Sequence, residues 1–256
     1  MKIRINNISS VVVPFRRANP AQILIEIKDN THPIHLVRGG LCPIGGNWIG
    51  QTAIHDASPL DTVRREVFEE LVLDSKPVST EALVELGLAE VVENYATSRN
   101  ENAITNFERL MLNEVVGVII DSMSPFGSYL NTITREAMLS VDPSSTRETF
   151  TTLSCYFLAP LDDATFFKLS VLQQRVGNLS NESITLVTSL DEILERNLSG
   201  AFAHEQPLRD FFLAMGFNHA KHMRIVPNQT SVYAGPPLAS YADYLKLYDV
   251  AKKPIG

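Results

Sequence analysis

The sequence predicts an α/β or α+β domain carrying an insertion, and three observations support this. The first quarter is rich in short β-branched runs. A helix with clear start signals begins at residue 58. Further strand and helix patterns follow through residue 216 around an interrupted middle.

The elements follow in order. "SSVVVPF" (9–15), "QILIEIK" (22–28) and "PIHLVRG" (33–39) read as strands, separated by the turn-forming "RRANPA" and "DNTH". The glycine-rich "GGLCPIGGNWIG" (39–50) follows. Ser58 then suits a helix N-cap, Pro59 the first helical position, and Asp61 the reciprocal partner of the cap. Val63, Val67 and Leu71 form the apolar stripe of this helix, with Leu60 and Phe68 beside it. "EALVELGLAEVV" (81–92) is expected to contain a strand. Ile104, Phe107, Met111, Val115 and Val118 recur at helical spacing, although "LNEVVGVII" alone also fits a strand. "SPFGSYLNT" and "SVDPSS" read as punctuation. "TFTTLSCYFLAPL" (149–161) and "ESITLVTS" (182–189) read as strands, the second running into a helix at "SLDEILER". "HEQPLRDFFLAMG" (204–216) reads as an amphipathic helix and "YADYLKLYDVA" as a short one. The expected domain spans 1–216 with an insertion at about 92–148, and 217–256 forms a C-terminal extension.

Bulk properties narrow the function. The chain has 256 residues, 45% of them hydrophobic and 20% charged, so it can bury a substantial core. A net charge of −7 argues against general nucleic-acid binding, which needs basic surface. Cys42 and Cys155 are far apart and lack metal or disulfide spacing. No apolar run is long enough for a signal segment or a membrane span, so a cytoplasmic protein with no membrane partner is expected.

The informative stretch is "SPLDTVRREVFEELVLDS" (58–75). At about 100° per residue, Glu66 and Glu70 lie nearly above one another, with Glu69 on the same side. Such a cluster is either a solvated acidic face, partly neutralised by Arg64 and Arg65, or a site for a hard divalent cation.

This segment, "REVFEELVL" (65–73), resembles the signature helix of Nudix hydrolases, and "CPIGGNW" upstream resembles that family's Pro-Gly-Gly turn with one residue inserted. The resemblance is specific over about 43–73. The order of elements also fits from about 8 to 216. Three departures stand out. Val72 occupies the place of a glycine, so the helix must end without a left-handed cap. The loop before Arg65 is about five residues longer than usual. The expected carboxylate eight residues before Arg65 falls on Ala57, with Asp56 one place away.

The resemblance implies an α/β/α sandwich around a mixed sheet and a divalent-metal-dependent pyrophosphohydrolase. Its substrate would be a small nucleotide-type molecule, a nucleoside diphosphate linked to another moiety. By the same resemblance Glu66, Glu69 and Glu70 would hold Mg²⁺ or Mn²⁺, and Arg65 would orient them. Glu69 is the first choice for general base and Glu205, beside His204, the second. Gly45 and Gly46 would allow close backbone approach. Trp48, the one tryptophan, is the candidate to stack on a base or sugar, with packing as its competing role. The alternative is a non-catalytic Nudix-like module that binds a nucleotide or a protein. A homodimer paired through the insertion is also open.

Overall fold

The computed structural model describes residues 2–28, 39–48, 56–73, 104–134, 149–180 and 183–251. Its centre is an eight-stranded mixed sheet. The strands are β2 (Asn7–Arg16), β3 (Asn19–Ile27), β4 (Leu41–Cys42), β5 (Ile44–Asn47), β6 (Ser124–Thr134), β7 (Thr149–Leu161), β8 (Ile184–Ser189) and β9 (Gln229–Gly235). The order is β4-β3-β2-β7-β6-β9, with β5 also on β2 and β8 on β3. The β2–β7 pair is parallel, while β3, β5 and β6 join their neighbours antiparallel. A separate parallel pair joins β1 (Ile3–Ile5) to β10 (Tyr248–Val250).

Alternation along β2 and β3 gives the sheet two apolar faces. Ile8, Val12 and Leu24 join one core, built on α1 (Pro59–Glu70), α2 (Asn106–Ser122) and α3 (Asp163–Val176). Val13, Phe15, Ile23 and Ile25 join the other, under α4 (Leu190–Glu195) and α5 (Glu205–Ala214). Helices therefore cover both faces of a mixed sheet. Among the described residues no helix is long and apolar enough to cross a membrane.

The stretch expected as an insertion contributes α2 and β6, and β6 lies inside the sheet between β7 and β9. "SPFGSYLNT" looks like a turn because of Pro125 and Gly127. The strand absorbs them as a register shift between those residues, and Gly127 leaves room for the rings of Tyr129 and Tyr233. The C-terminal segment is likewise built in. It supplies β9, β10 and α6 (Tyr241–Leu247), whose Tyr241 and Tyr244 enter the first core.

In α2 the buried face is Leu112, Val115, Val116 and Ile119, so the expected stripe is rotated and Phe107 is exposed. Thr105 and Glu108 cap this helix reciprocally. The strands expected at 33–39 and 81–92 lie outside the described residues, apart from Gly39.

One topological feature positions the candidate site. β2 and β3 pair only at Phe15↔Ile23 and Arg16↔Asn19. Beyond that point the two strands serve different partners. The β4–β5 segment pairs first with β3 (Ile27↔Leu41, Glu26↔Cys42), then with β2 (Val12↔Ile44 to Ser9↔Asn47). Pro43, which has no N–H to donate, marks the crossing.

Candidate active site

α1 begins as its sequence dictates. Ser58 Oγ accepts from Asp61 N at 3.2 Å, and Asp61 Oδ2 accepts from Ser58 N at 2.9 Å. Val63, Val67 and Leu71 are buried, whereas Phe68 is exposed. Burying that stripe turns the Glu66–Glu70 edge toward β5. Gly45 N donates to Glu70 Oε2 at 2.9 Å. A Cβ on Gly46 would collide with the Glu66 carboxylate, and one on Gly45 (φ +138°) with the β2 backbone at Ser10. Gly45 therefore needs glycine, whereas a side chain at Gly46 would have to displace the Glu66 carboxylate. The helix ends at Leu71 (φ −83°, ψ 79°), with Val72 N donating to Glu70 O at 3.0 Å. The helix thus ends in a tight turn with no left-handed residue at Leu71.

Arg65 is the hub of the helix. Its guanidinium donates to Asp56 Oδ2 at 2.9 Å, and it pairs with Glu66 Oε1 and Glu69 Oε2, each at 2.8 Å. Burial opposes its charge, and Asp56, Glu66 and Glu69 together outweigh that, so its pKa rises. Asp56, rather than the exposed Ala57 beside it, faces the Arg65 guanidinium. Asp56 also accepts from Thr62 Oγ1 at 3.1 Å, Thr62 Oγ1 meets Tyr241 OH at 2.6 Å, and Tyr241 OH meets Ser10 Oγ at 3.3 Å. Tyr241 stacks on Trp48 with ring centroids 4.4 Å apart. Trp48 is buried in the first core, so it packs there rather than presenting its ring to a ligand. Glu69 is half-exposed, while Glu70 is buried.

Two residues of the site were missed. Glu26 is fully buried on β3, and its Oε1 has no hydrogen-bond partner. Lys28 Nζ lies 3.3 Å from Glu26 Oε2. The clue was a glutamate inside the apolar run "QILIEIK", two residues before a lysine and so on the same strand face. Burial, and then the nearby Glu26, push the Glu70 carboxyl up to about 9, against the opposing pull of Lys28 and the Gly45 N–H. Burial also pushes the Cys42 thiol up to about 12. Cys42 and Cys155 are both free and buried.

Beyond β4 lies the segment that carries Glu205. Leu41 N donates to Ser199 O and Ala201 N to Leu41 O, both at 2.8 Å, so residues 199–201 run along β4. Phe202 (φ 51°) and Ala203 (φ 62°) are both left-handed, a strained arrangement for non-glycine residues. They deliver two buried groups. His204 Nδ1 bonds Tyr156 OH, and burial followed by the charge of Lys28 pushes its ring pKa down to about 3, so it is neutral. Glu205 has an unpartnered Oε2, and burial pushes its carboxyl up to about 7. A carboxyl that titrates near neutrality can give or take a proton.

The donor chemistry suits a hard divalent cation, since Glu26, Glu66 and Glu70 offer carboxylate oxygens and one of these is orphaned. As placed, no group of three or more His, Cys, Asp or Glu among the described residues converges to hold a metal ion. No family model, curated protein or solved structure matches the chain.

Proposed function

We propose that this chain is a divalent-metal-dependent pyrophosphohydrolase of the Nudix type, cleaving a nucleoside diphosphate linked to another moiety. The observation that carries the reading is the packing of α1 on β5, where Glu66 and Glu70 sit against Gly46 and Gly45 and Asp56 holds Arg65. Glu66, Glu69 and Glu70 would hold Mg²⁺ or Mn²⁺, with Glu26 adjoining them. The bound cation would polarise phosphoryl oxygens and lower the pKa of a water molecule. Arg65 fixes the carboxylates of Glu66 and Glu69 by charge-assisted bonds. Glu69, the more accessible, remains the first choice to take a proton from the attacking water. Glu205 is the second, with a carboxyl already shifted to near neutrality.

Glu69→Gln and Glu70→Gln should each lower turnover by about 100-fold or more while the fold persists. A wild-type chain that releases no product from any such compound, with Mg²⁺ or Mn²⁺, would end the enzyme reading.

A second reading, a non-catalytic binding module, is favoured by one observation. Arg65 already engages Glu66 and Glu69, and no three ligands converge among the described residues. Nucleotide-induced thermal stabilisation without product release would select it.

A further inference from the structure

Among the described residues, Arg65 and Lys28 serve the carboxyl groups of Asp56, Glu66, Glu69, Glu26 and Glu70 between them. Arg65 serves Asp56, Glu66 and Glu69 on the outer side. Lys28 serves the inner side, where Glu26 is fully buried and Glu70 nearly so. A largely buried lysine is costly unless paired, and among the described residues Lys28 is paired directly with Glu26 Oε2 at 3.3 Å. The other Glu26 oxygen is unpartnered. Glu70 is fastened by Gly45 N on the same side of the cluster. The inner group is therefore the Lys28–Glu26 ion pair beside a Glu70 carboxyl whose pKa is raised to about 9, with one Glu26 oxygen to spare.

We propose that Lys28 is a built-in cation of this cluster. Its ammonium holds the charge position beside Glu26 and Glu70 that a divalent metal ion would otherwise take, so the metal and Lys28 compete for the same carboxylates. This rests on the metal-binding reading of the site and refines its charge balance. It explains why hard oxygen donors are gathered here without converging as a ready metal cage. A single positive side chain already neutralises Glu26 and keeps a divalent ion at a disadvantage, because like charges a few ångströms apart repel strongly in a partly buried site.

The test is Mn²⁺ binding, followed by the electron paramagnetic resonance of free Mn²⁺, and needs no substrate. Lys28→Met should bind Mn²⁺ about tenfold tighter than wild type or more, and Lys28→Arg should stay near wild type. If removing a buried partner unfolds Lys28→Met, the comparison moves to Glu26→Gln against Glu26→Gln/Lys28→Met. Both lack the ion pair, and the double variant should again bind more tightly. A wild type that binds no Mn²⁺ beside a Lys28→Met variant that does would support the proposal in its strongest form. Equal or weaker binding by the folded lysine-free variants overturns it. A wild type that hydrolyses substrate with metal, beside unchanged Mn²⁺ affinity in Lys28→Met, would sink this proposal alone. Tighter Mn²⁺ binding by Lys28→Met with no hydrolysis of any substrate would sink only the enzyme reading.

Discussion

Asp56→Ala tests the claim that Asp56 is the buried anchor of Arg65. The Asp56 side chain is 1% exposed and accepts from Arg65 Nη2 at 2.9 Å and Nε at 3.1 Å, and from Thr62 Oγ1 at 3.1 Å. Breaking a fully buried ion pair by removing one partner costs about 3–5 kcal/mol. Arg65 is about a quarter exposed and keeps Glu66 and Glu69, so the expected loss is lower, about 2–3 kcal/mol. For a domain of this size that is a fall in Tm of about 5–10 °C. Urea denaturation should show the midpoint falling with an unchanged slope. Adding Ala57→Glu should not restore stability, because residue 57 is exposed and does not share the Asp56 position. A loss below about 0.5 kcal/mol, the usual size of a surface change, or rescue by Glu at 57, would refute the reasoning.

Three further outcomes follow from the same geometry. Glu70, with a carboxyl near 9 against an ordinary 4.5, keeps a proton that the unfolded chain releases between those values. Stability should therefore fall as pH rises through that window, and Glu70→Gln should gain on wild type by a few kcal/mol between pH 4.5 and 9 in denaturation series; parallel curves would contradict this. His204 behaves oppositely: its ring, near 3 in the fold, refuses a proton that the unfolded chain takes below about 6.5, so stability should drop with acidification from about pH 6.5, and His204→Gln should flatten that drop. Tyr241→Phe keeps the ring stacked on Trp48 but removes the hydroxyl between Thr62 and Ser10. It should cost about 1 kcal/mol, with the emission of the sole tryptophan little changed, and should be non-additive with Thr62→Val.

Local signals made parts of this architecture legible. The Ser58–Pro59–Asp61 start and the Val63/Val67/Leu71 stripe act within one helix, and they were readable because capping and amphipathicity are short-range. The strand at 149–161 was readable for the same reason, as a long β-branched and aromatic run. β6 was obscured because Pro125 and Gly127 look like a turn until pairing with β7 holds them in a bulge. The rotation of α2 depended on which neighbours it meets, and its own sequence offers two overlapping stripes. Of the candidate site, Glu66, Glu69, Glu70 and Arg65 stand out through the resemblance of "REVFEELVL" to a Nudix signature helix, whereas their spacing alone fits a solvated acidic face at least as well. Glu26, Lys28 and the Asp56–Thr62–Tyr241 chain do not stand out, because they come together only through the β2–β3 fork and a helix 179 residues from Thr62. Trp48 offered two roles in sequence, and its stacking on Tyr241 favours packing.

The most direct test of the central claim is hydrolysis by the purified full chain. Substrates would be ADP-ribose, nucleotide sugars, dinucleoside polyphosphates and nucleoside triphosphates, each with Mg²⁺, with Mn²⁺ and with chelator. Mononucleotide or phosphate release is expected from at least one class, dependent on the metal and lost in Glu70→Gln. Release that persists in chelator, or none from any class with either metal, would contradict the claim.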